Sequence, residues 1–249
     1  MKDFTDPAVA QLLAQQQLDN FTALWDLQLE AVDEPNTERG GWSSVAKLTL
    51  GEQSFYLKRQ INHLTRTLHR PLGEPTFARE MRNIQRYQQL GIPALRAAYF
   101  AQRKVGGEQR AILMTYALEG WQDLDHWQAH WPQLSNEQQQ GVLQACAQLA
   151  RRLHEAGQLH GCFYPKHIFL QEQAAGMTAQ LIDLEKTRPL LLGRRDRIKD
   201  LEPLFRRSQH VWGREQVQLF LQSYLQRPED SPHWLQRLDA RRKHKAARK

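Results

Sequence analysis

The chain reads as an α+β protein. A small N-terminal lobe carries a five-stranded antiparallel sheet and one helix, and a larger C-terminal lobe is mainly helical. Three observations predict this. Segments alternating with period two recur from about residue 25 to residue 118, one amphipathic helix interrupts them after the third strand, and a 3.6-residue period dominates residues 119–236. Strands first and helices afterwards pack as two lobes with a cleft between them. Residues 237–249 form a separate basic tail.

In chain order, Asp6 suits an N-cap and Pro7 the first turn of a short helix, with Val9, Leu12 and Leu13 on one face. "WDLQLEAV", "SVAKLTL" and "SFYLKRQ" each alternate and predict three antiparallel strands over about residues 25–60. "GEPTFAREMRNIQRYQQLGIP" predicts a helix capped by Thr76, striped by Phe77, Met81 and Ile84, and ended by Gly91 and Pro93. "RAAYFAQRK" and "RAILMTYAL" complete the five strands. The longest helix is "NEQQQGVLQACAQLARRLHEAG", with Val142, Cys146, Leu149 and Leu153 on one stripe. A strand pair, "HIFLQ" and "AQLIDLE", precedes two further helices at "IKDLEPLFRRS" and "REQVQLFLQSYLQ".

Composition excludes several classes. No run of 18 apolar residues exists, and the polar, acidic N-terminus is not a signal peptide. Two cysteines do not make a disulfide framework, which suits a reduced, cytosolic protein. The tail holds seven Lys or Arg against one Asp, +6 of the chain's +7. Such a tail is drawn to phosphates of an anionic membrane or of nucleic acid, or is simply solvated. It lacks interleaved aromatics, so nucleic acid is the weaker option.

Phosphoryl transfer from ATP needs a loop over the phosphates, a lysine for their charge, a carboxylate to hold it, and acids for Mg²⁺. Each has a candidate here, in that order. "ERGGWSSV" places Gly40 and Gly41 between strands, where backbone can approach a phosphate, although a plain turn explains them too. Glu38 and Ser43 stand where a full three-glycine pattern has its outer glycines. Lys58 interrupts a largely apolar strand. Glu80 lies about 60° round its helix from Phe77, bordering the apolar face, and so is the natural partner of Lys58. The backbone of Thr115, Tyr116, Ala117 and Leu118 can hydrogen-bond an adenine, while Met114 reads as core. Asp183 and Glu185 in "LIDLEKTRP" end an apolar strand as hard-cation ligands or as a solvated strand end. In "LHEAGQLHGCFYPKHIFL", His160, Tyr164 and His167 fall within eight residues at a spacing unlike a zinc site.

Together these pieces resemble the eukaryotic-like protein kinase fold. More narrowly, they resemble the bacterial lipopolysaccharide core kinases of the InaA and heptose-kinase type, from about Glu38 to Ser208. The family loop has the form His-Arg-Asp-x-Tyr-x-x-His. His160, Tyr164 and His167 stand in register with it, while Gly161 takes the arginine position and Cys162 that of the catalytic aspartate. The resemblance implies ATP and Mg²⁺ as cofactors. It implies Lys58 on the phosphates, Glu80 holding Lys58, Asp183 on the metal with His167 beside it, and Asp200 anchoring the loop. It also implies a sugar of the lipopolysaccharide inner core, heptose or a relative, as acceptor at the cytoplasmic face of the inner membrane. The basic tail is compatible with that anionic surface.

Cys162 divides the functional readings. A thiol with an ordinary pKa of about 8.5 is mostly protonated at neutral pH and orients a hydroxyl poorly. One reading is an active sugar kinase working without that base. A second is a pseudokinase that binds nucleotide or acts as a scaffold. A third is a membrane- or RNA-surface binding module sharing only the fold.

Overall fold

Asp6 starts the first helix as expected: its Oδ1 accepts the Ala8 N–H at 3.0 Å. The computed structural model describes residues 1–37, 40–67 and 70–246, in two units. One comprises Met1–Gln88 with Leu95–Glu119, the other Gln89–Ala94 with the chain from Gly120 onward.

In chain order the first unit contains β1 (Phe4–Thr5), α1 (Pro7–Gln15), α2 (Phe21–Asp26), β2 (Trp42–Leu50), β3 (Gln53–Ile61), β4 (Leu64–Thr67), β5 (Arg70–Pro75), α3 (Thr76–Gln89), β6 (Ala97–Val105) and β7 (Glu108–Tyr116). The five-stranded sheet has the order β1-β6-β7-β3-β2, antiparallel throughout. Period-two alternation sends Phe55 and Leu57 of β3, Ile112 and Met114 of β7 and Leu48 and Leu50 of β2 to one face, where they pack with Leu13 and Leu24 of α1 and α2.

The sheet has five strands, but not the five the sequence predicts. "WDLQLEAV" begins inside α2, whose N-cap Asn20 accepts the Ala23 N–H at 3.0 Å. Beyond α2 the segment makes only isolated bridges, Ala31 with Ala46 and Asn36 with Ser43. Its alternation is real, since Trp25, Leu27 and Leu29 are partly buried against the core. Its carbonyls are satisfied differently: Arg59 Nη1 donates to both Trp25 O and Leu27 O, each at 2.7 Å. A guanidinium thus does the work of a strand partner. The fifth strand is β1, paired with β6. The β4–β5 hairpin was not expected either, and it delivers the chain to α3. There Gln60 Oε1, not Thr76, accepts the Phe77 N–H, at 2.8 Å. The Thr76 hydroxyl instead donates to His63 O at 2.9 Å.

The second unit contains β8 (Gln122–Asp123), α4 (Leu124–Ala129), α5 (Asn136–Glu155), β9 (Gln158–Leu159), β10 (Ile168–Gln173), β11 (Gly176–Leu181), β12 (Arg188–Pro189), α6 (Arg194–Ser208), α7 (Arg214–Tyr224) and α8 (Ser231–Ala246). A capping box between Ser135 and Gln138 opens α5, and Val142, Cys146, Leu149 and Leu153 are buried along it. The predicted strand pair is present as β10 and β11, extended by β8. Residues 237–246 are the last turns of α8, a helix that buries Trp234 and Leu238. No helix among the described residues is long and apolar enough to cross a membrane.

Candidate functional site

In the first unit, Lys58 leaves β3 from a register position between Val45 of β2 and Leu113 of β7. Its ammonium donates to Glu80 Oε1 of α3 at 2.7 Å. Glu80 is only 2% exposed. A carboxylate so far from water needs a cation, and the strand-to-helix geometry supplies one. The Phe77 ring lies 6.0 Å from the same ammonium.

The two glycines differ in role. Gly40 has φ +70 and open space where a side chain would stand. A Cβ on Gly41 would meet backbone of the same unit, Asn62 C at 2.5 Å and Ile61 O at 2.6 Å. The close approach Gly41 permits is therefore to the end of β3, a structural use where a phosphate contact was expected. Glu38 lies outside the described residues. At the end of β7, Tyr116 N donates to Arg96 O at 3.0 Å and Ala117 N to Ser54 O at 2.9 Å. Those two N–H groups serve the sheet, which narrows the expected adenine contacts to other atoms of Thr115, Tyr116, Ala117 and Leu118. Met114 is fully buried in the core.

In the second unit the stretch from His160 to His167 is pinned by Asp200 of α6. The carboxylate accepts His160 N at 2.9 Å and Gly161 N at 2.8 Å, and meets His154 Nε2 at 3.2 Å. His154 Nδ1 in turn meets the Tyr224 hydroxyl at 2.8 Å. Burial pushes the Asp200 carboxyl up, but His154, the His160 ring and these N–H donors outweigh it and hold it below the usual range.

Both loop histidines have assignable tautomers. His160 Nδ1 accepts the Cys162 N–H at 3.3 Å, so its ring proton sits on Nε2 and points at Ile182 O, 2.9 Å away. His167 Nδ1 must donate to Cys162 O at 2.9 Å, which turns the bare Nε2 toward Asp183 Oδ2 at 3.3 Å. Burial pushes His167 down to about 4 despite the Asp183 carboxylate, so the ring is neutral at pH 7. A neutral ring nitrogen and a carboxylate oxygen thus face each other as two acceptors. A cation between them satisfies both, and a carboxylate with an imidazole is a suitable donor set for a divalent ion. Asp183 reaches this position with φ +58, a left-handed backbone strained for aspartate. Glu185, the third expected ligand, has Oε1 3.8 Å from Lys186 Nζ. Among the described residues no group of three or more His, Cys, Asp or Glu could hold a metal.

Cys162 is buried, with Tyr164 and Lys186 near its thiol. Burial pushes the thiol up, with Asp183 adding to the effect and Lys186 opposing it, so it is protonated at neutral pH. Lost solvation lowers the Lys186 pKa, but Cys162, Glu185 and Asp183 more than reverse this and keep the ammonium charged. Lys186 is the residue sequence reasoning passed over. It stands three residues beyond Asp183 in "LIDLEKTRP", and only the fold shows where its side chain goes. Gly161, at φ +79, explains the missing arginine: a Cβ there would stand 2.6 Å from Lys186 O. Arg207 of α6 lies over the Tyr164 ring at 4.2 Å, a second contact with no sequence signal.

A family model described as the lipopolysaccharide kinase (Kdo/WaaP) family matches residues 22–224. Protein InaA of Escherichia coli (strain K12) is 32% identical over 181 residues, covering 72% of this chain and 82% of that protein. Among solved structures, WaaP in complex with acyl carrier protein superposes with a TM-score of 0.72 over 97% of this chain and 98% of that one. At 20% identity, this is a likeness of fold.

Proposed function

Because this chain belongs to the lipopolysaccharide kinase (Kdo/WaaP) family, we propose that it transfers phosphate from ATP to a sugar of the lipopolysaccharide inner core, heptose or a relative. The observation that carries this reading is the Lys58–Glu80 ion pair, which holds the Lys58 ammonium against a buried carboxylate. Lys58 neutralises nucleotide phosphate charge, and Glu80 holds its ammonium in place. Asp183 and His167 hold Mg²⁺, which when bound supplies charge neutralisation to the transferring phosphoryl group. The backbone around Thr115 to Leu118 meets the base.

Cys162 cannot act as the usual base, and Lys186 cannot replace it while charged. Phosphoryl transfer passes through a loose transition state, so positioning and electrostatics carry most of the acceleration. Lys186 adds a positive charge beside the loop where the family pattern has a negative one. The acceptor hydroxyl then loses its proton late, to solvent or to the phosphate itself.

The neutral thiol also favours a second reading, a pseudokinase that binds nucleotide without transferring phosphate. Thermal shift with Mg-ATP tests both. Wild type should be stabilised, and Lys58→Ala and Asp183→Ala should not; an absent shift in wild type would sink both readings. Transfer to dephosphorylated core oligosaccharide then separates them, since the pseudokinase gives none. The chain works in this reading at the cytoplasmic face of the inner membrane. The acyl carrier protein of the WaaP complex is a partner worth testing here.

A further inference from the structure

Leu191 and Leu192 are 78% and 58% exposed, the one pair of large exposed apolar side chains adjacent in sequence among the described residues. They are not a loose end. Asp196 Oδ2 accepts the Leu191 N–H at 3.1 Å and the Leu192 N–H at 3.0 Å, and Asp196 itself is buried. Gly193, at φ +48, turns the chain directly into α6. The tip is thus held in shape with its two leucines outward.

Beside it lies a groove of about 450 Å³, lined by Arg194, Arg195 and Ile198 of α6 and Arg237, Ala240 and Arg241 of α8. Four arginines line it, its surface is mostly apolar, and no acidic residue lines it. Arg241 Nε is buried with no acceptor among the described residues. Asp239, the one acid of residues 237–249, lies about 200° round α8 from Arg237.

We propose that the 190–195 tip and the Arg194/Arg195/Arg237/Arg241 groove form a docking surface for an anionic lipid bilayer. The leucines enter the headgroup–acyl boundary and the arginines take lipid phosphates. Two protruding apolar side chains suit a deformable surface. The arginine-lined groove beside them matches a surface of negative charge. This gives the basic end of the chain a defined binding geometry, independent of catalysis.

Sedimentation of the full chain with vesicles tests the proposal, using phosphatidylglycerol/phosphatidylcholine mixtures against phosphatidylcholine alone. Wild type should bind the anionic vesicles and not the zwitterionic ones, with affinity falling steeply as salt is raised. Leu191→Asp/Leu192→Asp should weaken binding at least about tenfold. Arg194→Ser/Arg195→Ser should weaken it about fivefold per arginine and flatten the salt dependence. All variants should melt at the wild-type temperature. A chain ending at Arg242 should keep most of the binding. Unchanged binding in either double variant would overturn the proposal, as would equal binding to neutral vesicles. So would loss of all binding in the shortened chain, or binding only to an acidic protein.

Discussion

The Lys58–Glu80 pair and the His160–His167 loop keep their shapes by opposite means. The first is a side-chain device, one ammonium and one carboxylate at 2.7 Å, and its geometry disappears with either partner. The second is a backbone device. Asp200 grips the N–H groups of residues 160 and 161, His160 accepts that of 162, and the Cys162 carbonyl orients His167. Nothing in that scaffold depends on the side chain at 162. A loop held by its main chain can therefore exchange its carboxylate for a thiol and stay folded, whereas the ion pair tolerates no such exchange.

The largest expected effect comes from breaking the scaffold. Asp200→Ala leaves buried N–H groups without an acceptor and should cost about 4 kcal/mol of unfolding free energy in urea titration. A loss below about 1 kcal/mol would mean that the loop is held by something else. Next is the side chain the scaffold ignores. Cys162→Asp should fold as wild type, place its carboxylate beside Lys186, and raise core-sugar phosphorylation by about 10²-fold, the lower end of a general base's contribution. An unchanged rate would show that the base is not what this loop lacks. If activity appears in the variant alone, the natural chain is the pseudokinase.

Gly161→Ala probes the contact between the loop and Lys186. The left-handed φ and the approach to Lys186 O should together cost about 2 kcal/mol. An alanine tolerated without loss would refute the close packing, and with it the account of why arginine is absent. The smallest effect is a pH dependence. The Asp200 carboxyl is held below its ordinary 3.8, so it binds protons more weakly folded than unfolded. Its stabilisation is fully present above 3.8 and is lost as pH falls through the lowered value. The stability gap between wild type and Asp200→Asn should thus be constant near neutrality and shrink in acid. A gap that widens in acid would reverse the assignment.

Much of this was legible in the sequence, and the misses have physical causes. Alternation in "WDLQLEAV" reported burial faithfully, but alternation does not say what satisfies the carbonyls. Here Arg59 does, from a strand 32 residues on. Gly40 and Gly41 announced a tight approach without naming what approaches. For Gly41 it is the chain's own backbone.

By itself the sequence determined the periodicities that build a sheet-bearing half and a helical half. It also determined the family loop with its glycine and cysteine substitutions, and the spacing that sets Lys58 against Glu80. These are local facts, written in residue type and interval. Tertiary structure alone decided that β1 adds the fifth strand at the sheet's edge, that Lys186 lies beside Cys162, that His167 turns its bare nitrogen to Asp183, and that Arg237 and Arg241 join Arg194 and Arg195 in one groove. Each depends on which distant segment arrives within a few ångströms. That is fixed by packing of the whole chain, to which no short stretch of sequence has access.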